Sequence, residues 1–273
     1  MLFKSTRITC NVILVLLTII SVIMYSSFIE SRIFSYVFSL LTIFIAGVIT
    51  IITFQTIDGK KQQKTLNILF EDCDPELFIS EMSKLLSCPE KMRSLVYLNL
   101  SAGYLATENY MPAIEMLQSV KFLNTENEHL QRPIYYCNLA DFYMKVNDLP
   151  NASEALNSMK AALDHPKLPP PMYELYYNAY MLNRYSFNIK QGIYDGAEVF
   201  LNLMFEKIKQ KQTKNDIKHM LGKIFLHFSR TDEAIRAFEY VVQHGNKLYI
   251  VTESKQYLSQ LQGEIINETN PDL

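Results

Sequence analysis

Three aromatic residues that close a helical run each stand nine positions before an alanine: Tyr104 and Ala113, Tyr143 and Ala152, Phe225 and Ala234. The clearest instance lies in Met220–Val241, where Leu221, Gly222 and Phe225 keep helical spacing and so do Ala234, Phe238 and Val241. Only Ser229–Arg230–Thr231 separates the two runs. Helices joined that tightly must lie antiparallel against each other. Gly222 and Ala234 let the backbones approach, while Phe225 and Phe238 fill the seam. Two earlier stretches carry the same ruler. Tyr97, Leu100, Ser101 and Tyr104 precede Ala113, Leu117 and Val120; Tyr136, Leu139, Ala140 and Tyr143 precede Ala152, Leu156 and Met159. Pro112 and Pro150 fall at the beginning of the second helix, where a missing N–H costs little.

This pattern resembles the tetratricopeptide repeat, whose unit pairs an aromatic-Leu-Gly-aromatic first helix with an Ala-aromatic second helix. The resemblance covers 91–262 and implies an all-α superhelix of helical hairpins. The step of 39 residues from Tyr104 to Tyr143 is similar to the longer-helix variants of bacterial regulators, and the tryptophan usual in the first helix is absent. A third unit departs from the ruler. His165–Pro171 is a stiff extended connector, Met172–Tyr185 is crowded with tyrosines, and Tyr180 precedes Ala197, Leu201 and Met204 by seventeen residues rather than nine. Residues 65–90 read as a linker and a capping helix opened by Asp74–Pro75–Glu76 and running over about Pro75–Leu86. A polar-faced terminal helix is expected over Asn246–Leu261, followed by a disordered tail at 263–273.

The first 64 residues refuse the ruler. Ile8–Tyr25 and Ile33–Ile57 are uncharged runs of 18 and 25 residues, and each is long enough to span a bilayer. They predict a two-span transmembrane hairpin over 1–64, with spans at about 8–25 and 33–57. Lys4 and Arg7 precede the first run and Lys60, Lys61 and Lys64 follow the second, while Glu30 offsets Arg32 between them. The positive-inside rule then places both ends, and everything from Thr65 onward, in the cytoplasm at the inner membrane. Ser35, Ser39, Thr42, Ala46 and Thr50 line one face of the second span, where small residues pack membrane helices within the hairpin or between copies of it. Six basic and two acidic side chains lie up to Lys64, leaving 20 basic and 26 acidic beyond it. A mildly acidic repeat region argues against a nucleic-acid partner. The four cysteines (Cys10, Cys73, Cys88, Cys137) form no C-x-x-C pair, which fits a reducing compartment without disulfides.

No phosphate loop, H-E-x-x-H or G-x-S-x-G motif occurs, and no enzyme, cofactor or metal is expected. Solvated surface positions account for His219 and His227. The family resemblance implies that a protein or peptide partner lies in the groove lined by first helices. It assigns Leu95, Leu98, Asn99, Ala102 and Leu105 in the first unit, and Ile134, Cys137, Asn138, Asp141, Met144 and Lys145 in the second. The fourth unit contributes Asp216, His219, Lys223, Leu226 and His227. Asn99 and Asn138 share one position, where family members clamp a peptide backbone, or else hydrogen-bond locally. The expectation is a membrane-anchored, non-enzymatic docking scaffold. The rival makes the hairpin the working part of a transport or protective complex.

Overall fold

The structure, a computed structural model, describes residues 63–122 and 128–269, and the chain divides between Lys64 and Thr65. The expected spans, with Ser35, Ser39, Thr42, Ala46 and Thr50, lie outside the described residues, as does Cys10. Among the described residues there is no strand, and no helix is long and apolar enough to cross a membrane.

After a helical stretch at 63–70 come α1 (Pro75–Ser83), a 3-10 turn (Lys84–Ser87), α2 (Glu90–Ala106), α3 (Tyr110–Gln118), α4 (Glu128–Lys145) and α5 (Leu149–Leu163). Then follow α6 (Pro170–Lys190), α7 (Ala197–Lys207), α8 (Lys211–His227), α9 (Thr231–His244) and α10 (Tyr249–Thr269). Helix α1 starts as its sequence dictates: Asp74 accepts the Leu77 N–H at 3.1 Å and Pro75 takes the first position. It ends earlier than expected, giving way to the 3-10 turn at Lys84. Helix α10 is longer than expected, so residues 263–269 are helical.

The helices pair as α2–α3, α4–α5, α6–α7 and α8–α9, and the first helices α2, α4 and α6 also pack side by side. This is a helical-repeat architecture, compatible with the tetratricopeptide-like pattern. One turn repeats. The N–H of Asn109 reaches the carbonyl of Tyr104 at 3.0 Å, Asp148 reaches Tyr143 at 2.8 Å, and Arg230 reaches Phe225 at 2.8 Å. The residue before each donor, namely Glu108, Asn147 and Ser229, takes positive φ, as a left-handed helix terminus requires. The alanine nine residues after each acceptor (Ala113, Ala152, Ala234) is fully buried, as is the large residue four further on, Leu117, Leu156 or Phe238.

The third unit obeys the same turn, but its register is not set by Tyr180. The Ile193 N–H reaches the Asn188 carbonyl at 2.9 Å, and Gly192 supplies the positive φ. Asn188 is therefore the counterpart of Tyr104, and Ala197 stands nine residues after it, with Leu201 buried at the next position. The irregularity has a steric cause. Three residues before the reference point the other units carry Ser101, Ala140 and Gly222, which let the helices close; this unit carries Tyr185. Its ring stacks on Phe200 with centroids 4.5 Å apart. The pair α6–α7 consequently touches least of the four, and α7 begins only at Ala197 after an added turn capped by Gly196.

The array's first loop meets its last turn. The Lys247 N–H donates to the Cys73 carbonyl at 3.1 Å, the Asn246 amide donates to the Asp72 carbonyl at 2.9 Å, and Lys247 Nζ lies 2.8 Å from Asp74. Cys73 is buried with Val241, Leu248 and Val251. Asn215 is fully buried at this seam, where its amide donates to the carbonyls of Lys211 (2.8 Å) and His244 (3.3 Å). Cys73, Cys88 and Cys137 are free thiols.

Candidate functional site

The asparagines at the shared first-helix position form an internal ladder. Asn138 donates to the Leu98 carbonyl at 2.9 Å and to Ser101 Oγ at 2.8 Å, tying α4 to α2. Asn183, five residues before Asn188 as Asn138 is before Tyr143, donates to the Cys137 carbonyl at 3.2 Å and ties α6 to α4. Each rung reaches the residue immediately before the counterpart position in the preceding unit. Asn138 is thus a staple between repeats, which is the local alternative weighed for it. Leu98, Leu105 and Met144, placed in the groove by analogy, are buried core. Leu95, Asn99, Ala102, Ile134 and Cys137 are half-buried. Sulfur Sγ of Cys137 lies 3.2 Å from the Asn183 amide, and burial pushes its thiol up to about 12, far from a reactive thiolate.

Charges from α4, α6, α8 and α10 act on one another. Lys145 feels Asp141, Asp216, Glu108 and Glu253; burial opposes its charge, but these carboxylates hold its ammonium above the usual lysine range. Lys190, which occupies in its unit the place of Lys145, moves the other way, because burial and the nearby Lys223 and Lys145 disfavour its charge. Burial pushes the Asp216 carboxyl up to about 7; Lys145 opposes this and Asp141 adds to it. Burial also raises Asp141. Among the described residues, no ion pair or hydrogen bond ties the side chains of Asp141, Lys145, Lys190 or Asp216. The four charges thus lie on three first helices, half-buried except for the exposed Lys190, and offset one another without direct pairing.

The fourth unit's expected groove residues are largely engaged by α10. Lys223 Nζ pairs with Glu253 at 2.7 Å. His219 is buried rather than solvated; its Nδ1 lies 3.1 Å from Ser254 Oγ and its Nε2 3.1 Å from Glu253. Burial lowers the His219 pKa, so the ring is neutral near pH 7. Burial would raise Glu253, yet its contacts with His219 and Lys223 outweigh this and bring it down to about 2. His227 is exposed and stacks on Tyr194 with centroids 4.1 Å apart. No group of three or more metal-ligating side chains is placed to hold an ion among the described residues.

Lys190, Glu253, Glu108 and Asn183 join these assemblies without having been singled out in the sequence. The signal for Lys190 and Asn183 was present, since both follow once Asn188 sets the register. Comparisons with family models, with curated proteins and with solved structures return no match.

Proposed function

We propose that this chain is a membrane-anchored, non-enzymatic scaffold whose repeat array docks a protein segment on the side lined by α4, α6 and α8. The observation that carries this reading is the set of charges there without ion-pair partners: Asp141 and Asp216 beside Lys145 and Lys190. Their mixture favours a segment carrying both signs of charge, since complementary potentials supply specificity and orientation more than raw affinity. The half-buried Leu95, Ala102 and Ile134 offer apolar contact beside them. Anchoring through the runs at 8–25 and 33–57 would confine the complex to the cytoplasmic face of the membrane and raise the effective concentration of a partner already there.

The test is in-cell crosslinking followed by pull-down from solubilised membranes, comparing the parent with Lys145→Glu/Lys190→Glu. Lys145→Glu sets a carboxylate among Asp141, Asp216, Glu108 and Glu253, so unchanged far-UV circular dichroism is required to certify the fold. Loss of one specific crosslinked protein from the variant supports docking at this face. Retention of every crosslinked protein, with loss only when 33–57 is exchanged for an unrelated span, would move the function to the hairpin.

A further inference from the structure

A second surface lies on the outer side of the third unit. Helix α7 buries Ala197, Leu201 and Met204, and its opposite face leaves Val199 77% and Leu203 65% exposed. Lys207 pairs with Glu174 at 2.7 Å, which ties the end of α7 to α6, where Tyr177 is also exposed. From the end of α7 onward the chain reads Lys207, Lys209, Lys211, Lys214 and Lys218, with Asp216 among them and the exposed Glu206 just before. The ammonium groups of Lys214 and Lys218 sit 4.7 and 4.3 Å from the Phe205 ring centroid, which fixes them at this corner. The repeat region is otherwise acidic, so such a concentration of lysine is local rather than a consequence of composition.

From this juxtaposition we infer that the α7 corner is a peripheral membrane contact: Val199 and Leu203 enter the headgroup region of an anionic bilayer while the lysines hold its phosphates. Aliphatic side chains exposed to this degree are poor partners for a nucleic acid, whereas an apolar face beside lysines is the arrangement by which amphipathic helices seat on anionic lipid. Each lysine near such a surface adds to the attraction, and the attraction decays within a Debye length. The irregular third unit thereby gains a use. Helix α7 touches α6 little, so α6 does not cover the face that carries Val199 and Leu203.

The test uses the full chain in nanodiscs, either of phosphatidylcholine alone or of phosphatidylcholine with phosphatidylglycerol, and measures lysine acetylation by mass spectrometry. Lys207, Lys209, Lys211 and Lys214 should react several-fold more slowly in the anionic discs, while the exposed Lys160 and Lys255 react equally in both. Val199→Asp/Leu203→Asp, at exposed positions and with unchanged circular dichroism, should restore the faster rates. Equal rates in the two lipids would overturn the proposal. So would protection that survives the double substitution and is matched by soluble polyglutamate in neutral discs, because the corner would then be a site for acidic protein. Co-elution of the chain with both kinds of disc reports on the anchor separately.

Discussion

Gly222 offers the sharpest check on the helix pairing. In an exposed helix, glycine to alanine would stabilise by about 1 kcal/mol through backbone entropy alone. Here an added Cβ would stand 2.6, 2.7 and 2.9 Å from three ring atoms of Phe238. The ring cannot swing aside. Phe238 is fully buried, stacked on Tyr257 with centroids 4.8 Å apart, and edge-on to His219. Overpacking of this kind costs about 1–3 kcal/mol. Gly222→Ala should therefore destabilise by about 1 kcal/mol net, lowering Tm by about 3 °C for a unit of this size. The assay is thermal unfolding of the full chain in detergent micelles, followed by far-UV circular dichroism. Removing the ring should relieve the clash, so Gly222→Ala should cost less in a Phe238→Leu background than in the parent, by about 1 kcal/mol. A Tm that rises in the single variant would refute the close approach of α8 and α9, and with it the repeat register.

Asn138→Ala should cost about 1 kcal/mol by the same melt, the worth of one staple hydrogen bond, and Asn183→Ala should behave alike. Asp216 is protonated more readily when folded than when unfolded, so its contribution to stability is full below about pH 4, declines as pH rises towards about 7, and is flat beyond. Asp216→Asn should accordingly remove a downward slope over that window and melt higher than the parent at pH 7.5. Glu253 has the opposite sign: its folded pKa of about 2 gives stability present above its unfolded value and lost as pH falls towards 2, so Glu253→Gln should flatten the acid limb of the stability profile. Lys247→Ala should speed amide hydrogen exchange at Leu248 and Val251 more than at Ala152, if the seam holds those turns closed.

The two-helix units were legible because short-range sterics write them into the chain: a small residue where backbones approach and a large one where they part. The third unit misled for the same reason. Its tyrosines advertise a register at Tyr180, whereas the register is set by a backbone turn whose only outward mark is Gly192. A capping hydrogen bond leaves less trace in composition than a ring does. The asparagine at one repeated position was visible, but whether its amide faces a ligand or the neighbouring helix depends on the separation of first helices, which no local pattern encodes. The charges of α4, α6, α8 and α10 come from segments scattered between Asp141 and Glu253, so their mutual influence follows from how distant helices pack, which no single residue declares.

The seam between Cys73 and Lys247 changes what kind of object the array is. An open solenoid frays from its ends and tolerates gain or loss of a unit, because each repeat answers only to its neighbours. Here the two ends are fastened to each other across more than 170 positions of chain. The unit count is thereby locked, since an added hairpin would carry Lys247 away from Asp74. Unfolding loses an easy starting point as well: the last turn cannot open without first parting from the first loop. A chain so closed should come apart all at once, and the cost of finding its last contact should make it slow to form.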